Sequence, residues 1–140
     1  MQMNPYLLFE GQCEAAFKFY EKNLGGKIEI MTAHAGSPAA AHVPAEWGPK
    51  ILHARMTIGE QVIMASDAPP GQQAKPQGFS INLAFHDPAE AERVFNVLSE
   101  NGAVQMPFQK TFWAERFGML VDQFGIPWMV NCEKAAEKAA

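Results

Sequence analysis

Apolar and polar residues alternate along several short stretches of the chain, and twice the alternation gives way to a helical period. Pro5–Phe9 reads as a short apolar strand ended by Glu10-Gly11. From Cys13 onward, Cys13, Ala16, Phe17, Tyr20 and Leu24 recur at helical spacing, with Glu14, Lys18, Glu21 and Lys22 on the outer side. Gly25-Gly26 ends this helix, because glycine tolerates the left-handed cap. Lys27–Thr32 alternates as a strand. Residues 33–50 are small, interrupted by Pro and Gly and without period, which predicts a long loop carrying His34, His42 and Trp47. Ile51–Ile58 and Gln61–Ser66 predict a hairpin across Gly59-Glu60.

A polar, Pro-rich linker follows over 68–77, and Phe79–Phe85 alternates again. Asp87-Pro88-Ala89-Glu90 supplies an N-cap, a first-turn proline and an acceptor three residues after the cap. Ala91, Val94, Phe95 and Leu98 form the buried stripe of a second helix, which Asn101-Gly102 stops. Ala103–Phe108 predicts one more strand. Phe108–Asn131 predicts an aromatic loop with Phe112 and Trp113, then two strands joined by a turn at Gln123-Phe124-Gly125. Trp128 is expected in the core and Trp113 against a pocket. The tail, Glu133–Ala140, is expected to fray.

The halves thus read strand–helix–strand–strand–strand twice. Such an internal duplication predicts an α+β fold of two βαβββ modules, about 4–67 and 78–132, within one domain spanning 1–140. A curved mixed sheet around a concave cleft is the expected result.

Period two sorts the strand residues by face. Leu7, Phe9, Leu52, Ala54, Met56, Ile58, Ile63 and Ala65 are expected under the helices. So are Phe79, Ile81, Leu83, Phe85, Trp128, Val130 and Cys132. The other face then carries Asn4, Tyr6, His53, Arg55, Met64, Ser66, Ser80, Asn82, Met129 and Asn131. It is too polar for a dry core, although an antiparallel sheet can also simply expose a polar face to water. With Trp113, these residues are the candidate ligand-binding set. Methionines would supply adaptable apolar contact, and amides and hydroxyls would orient a ligand.

At 140 residues and 48% hydrophobic, the chain has enough apolar mass for a core. A net charge of −4, with eleven scattered Lys and Arg, argues against a nucleic-acid partner. No apolar run approaches a membrane span and no secretory signal is recognisable, so a cytoplasmic protein is expected. Cys13 and Cys132 fit hydrophobic positions and are expected as buried free thiols rather than a disulfide.

Asn4-Pro5-Tyr6-Leu7, Phe19-Tyr20, His53-Ala54 and Met64-Ala65-Ser66-Asp67 resemble the PhnB-like branch of the vicinal oxygen chelate (glyoxalase/bleomycin-resistance) superfamily. Thr111-Phe112-Trp113-Ala114 and Asp122–Met129 strengthen the resemblance, which covers nearly the whole chain. It implies paired βαβββ modules, a concave sheet holding a small ligand and a homodimer. Enzymes of the wider superfamily hold a divalent metal with His and Glu. Their ligand positions match Asn4, Met64, Ser80 and Met129 here, none of them suited to Zn, Fe or Mn. No metal and no cofactor are therefore expected. A methyltransferase would need a Gly-rich nucleotide loop, and none is present. A phosphonate pocket would want convergent Arg and Lys, for which only Arg55 is a good candidate.

The expected function is metal-independent binding of a small molecule. His53 is the one neutral-pH acid/base on the candidate face, and Arg55 beside it suits an anionic or carbonyl-bearing ligand. Two enzymatic alternatives stand beside this. One is a lyase or isomerase using His53 as catalytic residue. The other is a metal-dependent lyase, isomerase or dioxygenase with ligands such as His53, Glu115 and a loop histidine.

Overall fold

The computed structural model describes residues 1–72 and 74–134. The chain divides into two compact units, Met1–Ala74 and Lys75–Ala140. Residues 135–140, most of the tail expected to fray, lie outside the described residues.

In the first unit the order is β1 (Tyr6–Phe9), α1 (Cys13–Leu24), β2 (Lys27–Ala33), β3 (Ile51–Ile58) and β4 (Gln61–Asp67). Cys13, Ala16, Phe17 and Tyr20 form the buried stripe of α1, and Glu14 pairs with Lys18 one turn on, outside it. Gly25 closes the helix at φ 69°, its N–H donating to the carbonyl of Glu21. The sheet runs β1-β4-β3-β2, with β1 parallel to β4 and the other pairs antiparallel. Leu7, Phe9, Ala54, Met56, Ile63 and Ala65 are buried, as their alternation predicts.

One buried carboxylate ties this unit together. Asp67, only 2% exposed, ends β4. Its Oδ1 accepts from the backbone N–H groups of Gly11 (2.8 Å) and Cys13 (3.0 Å), and Oδ2 from that of Ile51 (2.8 Å). The start of α1 and the start of β3 are thereby anchored to the end of β4. Sequence reading puts Asp67 at the edge of a linker; the structure makes it the unit's polar centre.

Two expectations fail in this unit. Leu52 is not under the helix: Ala33 stands opposite Ile51 and Thr32 opposite His53, so Leu52 is the extra residue of a β-bulge. The bulge buries Ile51 and turns Leu52 to the other face, which strict alternation cannot foresee. Residues 33–50 are also not a featureless loop. They hold two 3₁₀ turns, Pro38–His42 and Ala45–Trp47, pinned by backbone bonds from His34 to Lys50 and from Ala35 to Gly48.

The second unit repeats the plan: β5 (Ile81–Phe85), α2 (Pro88–Ser99), β6 (Ala103–Gln109), β7 (Arg116–Val121) and β8 (Pro127–Cys132), with strand order β5-β8-β7-β6. Asp87 caps α2, its Oδ1 accepting from Ala89 N–H at 3.0 Å. Glu90 does not complete a reciprocal cap; its carboxylate takes both Nε and Nη2 of Arg93. Ala91, Val94, Phe95 and Leu98 are buried as predicted. The helix can lie close because β7 has a glycine there: a Cβ on Gly118 would collide with the Phe95 ring. Phe95 stacks in turn on Phe108, with ring centroids 5.2 Å apart.

The turn at Gln123-Phe124-Gly125 is built on Asp122. Its Oδ1 accepts from the N–H groups of Phe124 and Ile126, and its Oδ2 from Trp128 Nε1 at 2.8 Å. Gly125 takes φ 88°, a left-handed turn conformation. A further expectation fails here: β5 begins at Ile81, so Ser80 and Phe79 precede it, and Phe79 is 49% exposed rather than packed under α2.

Cys13 and Cys132 are buried free thiols. Burial, with the nearby charge of Asp67 and then Glu14, pushes the Cys13 thiol up from its ordinary value of 9.0 to about 12. A raised thiol pKa contributes stability at neutral pH that is lost as pH climbs from about 9 towards about 12, where the unfolded thiol ionises first. Urea midpoints should fall across this window in the wild type, and fall less steeply in Cys13→Ala. Equal slopes would show that burial of Cys13 carries no such linkage.

Candidate functional site

In the first unit the strands set the candidate residues in rows on the face opposite α1. Tyr6 stands opposite Met64 across β1 and β4, and Met64 opposite Arg55 across β4 and β3. Leu8 stands opposite Ser66, and His53 opposite Thr32. The Tyr6 hydroxyl lies 3.3 Å from His53 Nδ1, and the two rings stack at 6.0 Å and 23°. Tyr6, His53, Arg55, Met64 and Ser66 thus share one sheet face, while Asn4 lies half-buried just before β1.

Arg55 is less available than its sequence position suggests. Its Nε lies 3.4 Å from a Glu29 carboxylate oxygen, and Thr57 donates to the other oxygen of the same carboxylate. Both charged side chains are partly exposed, so the pair is a weak tie in stability terms. It nevertheless sets an acidic partner beside the cation that an anionic ligand would have to use.

The second unit has an equivalent row, Asn82 opposite Met129 and Met129 opposite Met119. Asn131 stands between Ala84 and Phe117. Trp113, 49% exposed, packs edge-on against Phe117 at 5.3 Å, and Phe112 packs against Trp113 from outside. Asn131 Oδ1 is buried without a hydrogen-bond partner. Ser80 lies outside the strand. Phe117 escapes sequence reading because its neighbour Gly118 is the residue that faces α2, so hydrophobicity alone does not reveal which way Phe117 points.

The donor set argues against a resident metal. Asn4 and Met64 of the first unit offer an amide and a thioether, and Ser80 and Met129 of the second a hydroxyl and a thioether, none of them a donor suited to Zn, Fe or Mn. Among the described residues no three His, Cys, Asp or Glu side chains form a group that could hold a metal ion.

The first unit also holds a cavity of about 370 Å³ beside the candidate face. Ser66, Leu8 and the displaced Leu52 supply its floor, and the 3₁₀ segment with His34, Ala39, His42 and Val43 supplies one wall. His34 is 5% exposed, which nothing in its aperiodic sequence neighbourhood announces.

Two βαβββ modules of identical strand order, each with a polar row on its helix-free face, define the class of protein. The sequence profile of the Glyoxalase/Bleomycin resistance protein/Dioxygenase superfamily matches residues 2–130, and the chain belongs to that superfamily. It is 37% identical to Protein YjdN of Escherichia coli (strain K12), over 96% of this chain and 97% of that protein. Protein PA1353 from Pseudomonas aeruginosa is 48% identical, with a TM-score of 0.87 over 96% of this chain and 99% of that one. The PhnB protein from Bacillus cereus shares the fold, with a TM-score of 0.81 at 22% identity over 94% of this chain and 99% of that one. The fold is therefore PhnB-like. None of the helices among the described residues is long and apolar enough to cross a membrane.

Proposed function

We propose that the protein binds a small organic molecule on the helix-free faces of its modules, in a ligand cleft, without a divalent metal. The observation that supports this most is the pair of matched rows. Met64 opposite Tyr6 and Met129 opposite Asn82 set a thioether beside a hydrogen-bonding group in each module. Such a row suits a molecule with an apolar body and a carbonyl or hydroxyl group better than a bare cation. The ligand set comprises Asn4, Tyr6, His53, Arg55, Met64, Ser66, Ser80, Asn82, Trp113, Met129 and Asn131. The protein acts as a cytoplasmic homodimer, a state that would cover exposed sheet edges, and takes neither nucleic acid nor membrane as partner. Native mass spectrometry of freshly purified protein, with metal analysis in parallel, tests this. A co-purifying organic mass without stoichiometric metal is expected. One equivalent of tightly held Zn, Ni, Fe or Mn per chain would overturn it, as would a monodisperse monomer at micromolar concentration for the dimer.

A second reading, proton-transfer catalysis of the lyase or isomerase kind, has one observation in its favour. The Tyr6 hydroxyl engages His53 Nδ1, which orients the ring and leaves Nε2 to act on a ligand. Under either reading His53→Ala should change unfolding stability by no more than about 1 kcal/mol, since the side chain lies outside the packed core. It should also abolish retention of the co-purifying molecule. A destabilised variant that still retains its ligand would assign His53 a structural role.

A further inference from the structure

The two modules repeat one strand plan but not one chemistry. On the helix-free face of the first, β3 carries Arg55, paired with Glu29, and His53, hydrogen-bonded to Tyr6. The second module's face is a different surface. A Cβ on Gly118 would strike the Phe95 ring of α2, so its neighbours Phe117 and Met119 point the other way. Met119 stands opposite Met129 on β8 and opposite Met106 on β6. Residues directly opposite each other share a face, so three thioethers line up across three adjacent strands, and Asn82 extends the row on β5. A register shift between Val104 and Met106 brings Met106 into the row. The three methionines are half-buried and keep surface to give, and Asn82 is exposed.

The next row along the strands, about 7 Å away, sets Phe117 opposite Asn131 and Asn131 opposite Ala84. Trp113 packs edge-on against Phe117 at 5.3 Å and stays 49% exposed. Aromatic edge and thioether row are thus continuous through Phe117 and Met119, two residues apart on one strand. Neither row contains an ionisable residue. Charged groups stand around them instead. Arg116 precedes Phe117 and so turns to the other face. Lys110 and Glu115 are exposed beyond the ends of β6 and β7, His86 pairs with Glu133 beyond Ala84 and Asn131, and Lys134 donates to the Phe112 carbonyl at 2.9 Å. A row of thioethers is also a specific kind of apolar surface. Sulfur is polarisable and favours contact with an aromatic ring. Two strand spacings make the row about 10 Å long, the span of a fused two-ring system.

We propose that the helix-free face of the second module takes a planar, uncharged aromatic ring system, laid across Met106, Met119 and Met129 with one edge against Trp113. The exposed amide of Asn82 meets a polar substituent at the end of the row. The proposal rests on the reading of the helix-free faces as ligand faces, and it names the ligand class of one of them.

2-Naphthol, decahydro-2-naphthol and 2-naphthoate separate the alternatives: an aromatic body, the same body without π-electrons, and the aromatic body with a charge. Each is titrated into the full chain, labelled at the methyls of its eight methionines and at nitrogen. The backbone amide signals of Asn82 and Phe117 report affinity in every variant, and the Met64 methyl reports on the first module's face. 2-Naphthol should move the methyl signals of Met106, Met119 and Met129 upfield through ring currents. It should bind about fivefold or more tightly than decahydro-2-naphthol, and more tightly than 2-naphthoate. Replacing Met106→Leu, Met119→Leu and Met129→Leu together keeps the apolar volume and removes the sulfurs, so the aromatic preference should shrink to within about twofold. Trp113→Ala, which removes a half-exposed side chain, should weaken 2-naphthol by about threefold or more and serves if the triple variant does not fold. Equal binding of the aromatic and saturated probes to the wild type would overturn the proposal. So would a preference that survives the triple variant, unchanged binding in Trp113→Ala, tightest binding by 2-naphthoate, shifts confined to Met64, or no shift with any probe. Methyl signals that move with protein concentration and not with a probe would assign the face to a second copy of the chain and overturn it too. An organic mass that still co-purifies without metal in those cases would leave the sheet-face reading standing. Its absence as well would remove both.

Discussion

Asp67→Ala should destabilise the first unit by on the order of 4–6 kcal/mol. Three buried backbone N–H groups, from Gly11, Cys13 and Ile51, lose a charged acceptor together. Each buried donor left unpaired costs roughly 1–3 kcal/mol, and no other acceptor replaces the carboxylate when it is cut back to a methyl. The change also leaves a void in a position that is 2% exposed. Against a total stability of about 5–15 kcal/mol for a typical domain, such a loss approaches unfolding. Asp67→Asn keeps one carbonyl oxygen but turns an N–H₂ group towards a backbone donor, so about half the loss is expected. Urea unfolding of wild type and both variants measures this. A cost for Asp67→Ala under about 1 kcal/mol would mean that the three amides find other partners and that the carboxylate is not the tie described above.

Trp128→Ala should cost about 4–5 kcal/mol in the second unit. The ring is among the largest fully buried side chains, and truncation of a buried tryptophan removes its transfer energy and leaves a cavity as well. The same change removes the Trp128 Nε1 bond to Asp122 Oδ2 while Oδ1 still holds the turn through Phe124 and Ile126. Trp128→Phe keeps most of the apolar volume and removes the N–H, so it should cost about 2 kcal/mol. Combining Trp128→Phe with Asp122→Ala should be less than additive, because both remove one shared bond. Additive costs in that cycle would show that the 2.8 Å contact contributes nothing beyond packing.

Much of the architecture is legible in one sequence because local signals and tertiary demands agree. The stripe of Cys13, Ala16, Phe17 and Tyr20 is a helix face with or without a partner sheet, and the sheet then covers it. Asp87 and Pro88 start α2 by chemistry within one turn. The repeat of strand–helix–strand–strand–strand predicts two sheets of the same order, and both are found. Alternation also places Tyr6, His53, Arg55, Met64 and Ser66 on the face away from α1, since one buried face leaves no freedom of register.

The remainder depends on contacts between residues far apart in the chain, which no periodicity encodes. Asp67 reads as no more than the edge of a linker because its three partners lie 56, 54 and 16 residues away. Leu52 changes face because β2 and β3 pair with one residue to spare, a property of two strands and not of either. Arg55 reads as a free cation until Glu29 is found beside it on the neighbouring strand. His34 sits in a segment of small residues with no period, and only the packing of that segment against the end of β4 buries its ring beside a cavity. The two helices, the repeat and the strand faces away from the bulge at Leu52 and the start of β5 were therefore properties of composition and spacing. The buried carboxylate, the bulge and the environment of His34 were decided when distant strands met, because unpaired polar groups must find partners wherever the fold brings them.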